Sequence, residues 1–190
     1  MAATEPIRDK EDLRAIANYF LEKGQLRNYT MIVVGVSTAL RIGDLLSLKW
    51  SDVYDEKHQA FRTRISIREE KTGKTKIIAL NSQVLDALRR FFPYRHGEFL
   101  FYSRKGKAGP ISRTQAWRII HEAVEEVGVD GKISCHSLRK TWGYHAWTSH
   151  EISPVVIMHV YNHSSYEITR RYLGVVQDDL DLAYLKMKLF

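Results

Sequence analysis

Cys135-His136-Ser137-Leu138-Arg139-Lys140-Thr141-Trp142 and, further on, Asn162-His163-Ser164-Ser165-Tyr166-Glu167-Ile168-Thr169-Arg170-Arg171-Tyr172-Leu173 decide how this chain is read. If Ser134 or His136 opens a helix, His136 and Arg139 lie on one face and converge on one anion. His163 follows the apolar run Val155-Val156-Ile157-Met158 and precedes a Ser-Ser pair able to cap the next helix, which carries Tyr172. Two histidines, an arginine and a tyrosine near helix starts point to a phosphate site, where a phenol can act as nucleophile. Each signal alone is weak. A single His-x-x-Arg is more often a surface pair, and a tyrosine near a helix end more often packs.

Composition narrows the setting. The 190 residues favour one domain and suffice for a hydrophobic core. Lysine and arginine number 29 against 22 acidic residues, so the net charge of +7 favours a polyanionic partner, nucleic acid ahead of membrane. No apolar run is long enough to span a bilayer, and Met1-Ala-Ala-Thr-Glu-Pro6 lacks the basic and apolar regions of a signal peptide. The single cysteine, Cys135, excludes an internal disulfide and a cysteine-based zinc site. The expected compartment is the cytoplasm.

Working backwards along the chain, Asp9 to Gly24 reads as an amphipathic helix, with Asp9 as cap and Gly24 as stop. Asn28 to Leu40 is apolar through its middle and suits a buried helix, though its β-branched residues also suit a strand. Arg41 follows, with Asp44 three residues on and Leu45, Leu46, Leu48 and Trp50 behind it. An arginine held by packed neighbours presents a planar fork to phosphate; the bland alternative is an Arg41–Asp44 surface pair. Phe61 to Arg68 and Lys76 to Leu80 alternate as two strands around Glu69-Glu70-Lys71-Thr72-Gly73-Lys74, a hairpin. Lys71-Thr-Gly-Lys74 lacks the upstream glycine and strand-to-helix context of a nucleotide-binding loop, so that function is rejected. Asn81 to Phe92 and Ser112 to Val127 read as helices, the second with Trp117, Ile120, Ala123, Val124 and Val127 inward. A basic loop, Arg104 to Pro110, lies between them. The tail Asp178 to Phe190 has helical apolar spacing on a piece short enough to need a docking partner.

His-x-x-Arg, then Asn162-His163-Ser-Ser and a tyrosine nine residues after that histidine, resembles the C-terminal half of the tyrosine recombinase (phage integrase) family. Thr38-Ala39-Leu40-Arg41 with Asp44 resembles the family's first arginine block, where Ala39 replaces a common glycine and Asp44 a common glutamate. Glu98-Phe-Leu-Phe-Tyr-Ser103 resembles a further family segment, and Asn162 stands where the family pairs glycine with histidine. The resemblance covers nearly the whole chain from Arg8. It implies an α+β, mainly helical catalytic domain with one small antiparallel sheet. It also implies catalytic roles for Arg41, Lys71, His136, Arg139, His163 and Tyr172, with Lys74 and Lys76 as competitors of Lys71.

The implied function is site-specific DNA cleavage and rejoining through a 3′-phosphotyrosyl intermediate, serving integration, excision or inversion. No cofactor and no metal are implied. Expected partners are double-stranded DNA, three further copies in a homo-tetramer on synapsed sites (a monomer when free), and accessory DNA-bending proteins. Residues 1–190 form one catalytic domain in this scheme, with the 178–190 tail docking in trans. The alternatives are type IB topoisomerase-like relaxation and a non-catalytic DNA-binding regulator. Almost nothing precedes the first helix, so the chain is either a fragment or a minimal recombinase resembling the short fimbrial-switch enzymes of enteric bacteria; the Met1 start favours the second.

Overall fold

A computed structural model describes residues 4–104, 109–173, 184–185 and 187. The chain divides into two compact units, 1–142 and 143–190.

Helix α1, Lys10–Glu22, starts as the sequence predicts: the Asp9 carboxylate accepts from the Glu11 amide at 2.7 Å, and Ile16 and Phe20 face the core. Helix α2, Leu26–Thr38, resolves the helix-or-strand ambiguity. Its β-branched residues are tolerated because Met31, Ile32 and Val34 are buried, and burial outweighs the small propensity cost. It packs on α1 and on α5, Ser82–Phe91, which Asn81 caps as expected and Pro93 ends in a 3-10 turn. Short helices α3, Ile42–Leu46, and α4, Trp50–Val53, follow α2 and bring Leu45, Leu46, Leu48 and Trp50 into the same core.

Two antiparallel pairs replace the single expected sheet. Strands β1, Tyr54–Asp55, and β2, Ala60–Phe61, form a small one. The hairpin foreseen around residues 69–74 joins β3, Arg64–Arg68, to β4, Thr75–Ala79, with Ile65 opposite Ile78 and Ile67 opposite Lys76. Period-2 alternation then puts Lys76 on the face of Ile65 and Ile78, while Ile77 points outward and is 69% exposed.

Helix α6, Arg113–Val127, is capped by Ser112 and ended by Gly128. Its buried face is Ala116, Ile119, Ile120, Ala123 and Val124; Trp117, expected inward, is 43% exposed and makes an edge contact with His121. Ile120, Ala123 and Val124 are buried as read, while Ala116 and Ile119 take the inward places expected of Trp117 and Val127.

Helix α7, Cys135–Thr148, opens at Ser134: its hydroxyl accepts from the His136 amide at 3.4 Å, and Ser137 reciprocates to the Ser134 amide at 3.0 Å. Within the second unit, α8, Pro154–Tyr161, packs on α9, Tyr166–Leu173. The tail from Asp178 lies outside the described residues apart from 184–185 and 187.

Gly35 sets the approach of α7 to α2. A Cβ there would lie 2.7 Å from Leu138 Cδ1 and 3.2 Å from Leu45 Cδ2, both in the core. Gly35→Val is therefore expected to destabilise by about 1–3 kcal/mol through overpacking, seen as a lower urea midpoint at unchanged m-value.

Candidate active site

The first unit gathers four of the six residues singled out in the sequence. Arg139 is 2% exposed, and its guanidinium donates to the Ala39 carbonyl. That carbonyl is available because Ala39 ends α2 in the left-handed region, φ 54°. The family's usual glycine there is the residue this geometry prefers; alanine adopts it at a cost of roughly 1–2 kcal/mol. Arg41 follows as the residue before α3, and lines one cleft with Lys71 and His136. His136 is exposed at that cleft, three residues before the buried Arg139 on the first turns of α7.

Electrostatics distinguish these groups. Partial desolvation first, then the charges of Lys140, Arg139, Arg41 and Lys71, hold the His136 imidazole below its usual value. At neutral pH it is therefore the unprotonated base form that faces the cleft. Lys71 sits exposed on the hairpin turn. Lys76, its competitor, is on the inner face of β4, and among the described residues its ammonium nitrogen is buried without a hydrogen bond. Burial, followed by Arg139 and Arg41, pushes it down to about 8, against the opposing pull of Glu69 and Asp44.

Two carboxylates that the motifs did not single out as site residues organise these cations. Arg41 does not pair with Asp44. It pairs with Glu69, at 2.7 Å, while Asp44 accepts from the Glu70 amide at 2.8 Å. Glu69 is 0% exposed, and its second oxygen accepts from Thr72 at 2.8 Å. The Arg41 and hairpin stretches are thus joined twice. The same two carboxylates oppose Arg139 and Arg41 at Lys76. The signal for Glu69 was present in sequence only as an acidic residue inside a strand-turn boundary, a place where solvated charges are ordinary.

In the second unit His163, Tyr161 and Tyr172 form one aromatic cluster. His163 stacks on Tyr161 at 5.2 Å and meets the Tyr172 ring edge-on at 5.3 Å; Tyr161 and Tyr172 are 4.9 Å apart. The Tyr172 hydroxyl is shielded from solvent. His163 Nδ1 is 3.0 Å from the Thr169 hydroxyl, on the same face of α9 as Tyr172. That contact fixes the ring, as a partner on one imidazole nitrogen does at other histidine sites. Asn162 keeps the turn that glycine makes in the family: it lies at φ 59°, ψ 35°, and the His163 amide reaches back to the Met158 carbonyl at 3.1 Å. Asparagine is among the few residues that adopt this conformation readily. Gly143 leaves room for the buried Tyr161, whose hydroxyl occupies the place of a Cβ. Among the described residues no group of three or more His, Cys, Asp or Glu side chains is arranged to hold a metal ion.

The Lys76 value has a consequence for stability. Between about pH 8 and the ordinary 10.5 the unfolded chain binds a proton that the folded chain does not. Lys76 therefore adds stability as pH rises through that window and withdraws it as pH falls through about 8. Urea melts from pH 7 to 10.5 should show wild type gaining on Lys76→Met with rising pH; parallel curves would mean an unperturbed lysine.

The sequence profile of the phage integrase family matches residues 8–178. The chain is 36% identical over 186 residues to the probable integrase/recombinase YoeC of Bacillus subtilis (strain 168), covering 97% of each. It is 26% identical over 162 residues to the tyrosine recombinase XerD of Corynebacterium glutamicum, covering 82% of this chain and 50% of that one. It thus spans nearly all of the first relative and about half of the second. A crystal structure of XerA recombinase superposes with a TM-score of 0.76 at 19% identity, over 98% of this chain and 65% of that one, a likeness of fold. No described helix is long and apolar enough to cross a membrane. With a family profile over residues 8–178 and a relative 36% identical along nearly its whole length, this chain belongs to the phage integrase family of tyrosine recombinases.

Proposed function

We propose that the chain cleaves and rejoins DNA with Tyr172 as nucleophile, and that Arg41, Lys71, His136, Arg139 and His163 serve that step. Its family makes it a site-specific recombinase; the residue roles are the proposal. The observation that carries them is the cleft that Arg41, Lys71 and His136 line together.

The Tyr172 oxygen attacks phosphorus and forms a 3′-phosphotyrosyl bond while the bond to the 5′ oxygen breaks. Negative charge grows on the non-bridging oxygens, where two guanidinium groups stabilise the transition state more than the ground state. His136, whose pKa is lowered by burial and then by its cationic neighbours, accepts the phenol proton. Lys71 gives a proton to the departing 5′ oxygen. His163, oriented through Thr169, donates to the phosphate. Attack by a 5′ hydroxyl reverses each transfer, so the phosphodiester energy is retained. For this, the Tyr172 cluster and the arginine cleft must meet on one phosphate.

Strand exchange joins four DNA ends, so the working assembly we infer is a homo-tetramer on two synapsed sites in the cytoplasm, at the nucleoid. Accessory DNA-bending proteins would help bring the sites together. The 178–190 tail is the segment we assign to docking on a neighbouring subunit. Residues 1–190 would then act as one catalytic domain.

Trapping the covalent complex on host and element DNA and mapping its position tests the assignment. Wild type should yield a 3′-linked adduct on a nicked suicide duplex built from the mapped site, and Tyr172→Phe should bind that duplex without any adduct. An adduct that persists, or maps to Tyr161 or Tyr166, removes Tyr172 from the role. Lys71→Ala should lose about 10²–10⁴-fold in cleavage, the range of general acid catalysis, and regain most of it on a 5′-bridging phosphorothiolate, whose thiolate leaves unprotonated. Equal defects on both substrates would move the acid to Lys74 or Lys76, or away from the hairpin.

A further inference from the structure

Among the described residues Glu69 is a fully buried carboxylate that touches the machinery just described, and its position is unusual in what it joins. It directly follows β3, two residues before Lys71, and its backbone frames the turn that presents that lysine. Its amide donates to the Lys74 carbonyl at 3.0 Å, and its carbonyl accepts from the Gly73 amide at 2.8 Å. Its carboxylate divides its two oxygens between Arg41, at 2.7 Å, and the Thr72 hydroxyl, at 2.8 Å. The neighbouring Glu70 amide is tied to Asp44 on α3. Arg41 and the Lys71 turn are therefore fastened to the same side chain.

Burial decides which way that fastening works. The Glu69 side chain is 0% exposed and the Arg41 side chain 24% exposed, so the carboxylate grips the guanidinium from the interior. The Arg41 nitrogen it holds is itself shielded from solvent, while Arg41 still lines the cleft with Lys71 and His136. A carboxylate standing in the phosphate's place would lie on the open side. One behind the fork leaves the remaining donors for the phosphate and removes rotamer freedom that would otherwise be lost at each encounter.

We propose that Glu69 is a positioning residue for the cleavage step, setting Arg41 and the Lys71 turn as one unit. The inference rests on the proposed roles of Arg41 and Lys71. It differs from them in predicting a mixed defect, one part in charge stabilisation and one part in proton delivery.

The experiment uses full-length protein and the nicked duplex mapped above, at saturating concentration, with oxygen or 5′-bridging sulfur at the scissile position. Glu69→Gln keeps the volume and removes the charge. Its cleavage rate on the oxygen substrate should fall about 30–300-fold, with DNA affinity within about threefold of wild type. On the sulfur substrate the deficit should shrink to about 3–30-fold, because misplacement of Lys71 no longer matters while misplacement of Arg41 still does. Thr72→Val, on the exposed turn, loosens the same carboxylate without touching the ion pair. It should fall about 3–10-fold with the same partial recovery, and it decides the matter if Glu69→Gln does not fold. Wild-type rates in the folded variants would overturn the proposal. So would faster cleavage or tighter DNA binding, which would make Glu69 a competitor of phosphate. Equal losses on oxygen and sulfur would reduce it to a structural ion pair. If wild type itself forms no adduct, the proposed cleavage function fails instead.

Discussion

A guanidinium group sealed inside a protein must find its partners there, and Arg139 is such a group. Unpaired burial of a charge costs several kcal/mol, so the surroundings of Arg139 are constrained before any DNA arrives. One partner is the Ala39 carbonyl, exposed to it only because α2 ends in a left-handed residue. That same turn releases the chain towards Arg41, which cannot be left beside Arg139 and Lys76 without countercharge. Glu69 and Asp44 supply it, and in doing so they bring the β3–β4 turn to the start of α3. The end of one helix, the start of another and a hairpin are thus linked through one requirement, that the cations be given countercharge.

Most helices were legible because their ends carry local chemistry. Asp9 and Ser112 cap where the sequence places helix starts, and Asn81 and Ser153 cap α5 and α8 in the same way. The order of site motifs was legible as well, since residue type and spacing along the chain survive folding. Partnerships were not. Arg41 with Asp44 three residues on looks like a local pair, yet the partner is Glu69, brought in by the hairpin. Sequence distance favours the neighbour; burial favours the carboxylate that has no water to turn to.

Two other departures also concern burial. Trp117 satisfies helical spacing for the core, yet it is 43% exposed while its neighbour Ala116 is fully buried. Lys76 reads as one of three solvated hairpin lysines, and only the strand register, with Ile67 opposite, reveals that it faces inward. Asn162 went the other way. The substitution bore on whether a tight turn survives, and the turn is intact because asparagine accommodates φ 59°.

The hairpin itself has a colloidal side. Among the described residues β3 and β4 pair only with each other, so each has one edge whose backbone groups are available to another strand. The outer face carries Ile77 nearly bare, an invitation to edge-to-edge association, but it also carries Arg64 and Arg68 on the facing strand. Those arginines act as gatekeepers, since two copies approaching edge to edge bring like charges together. Ionic strength weakens that repulsion in the same range in which it weakens phosphate contacts. Salt used to strip DNA from this protein therefore also lowers its guard against self-association.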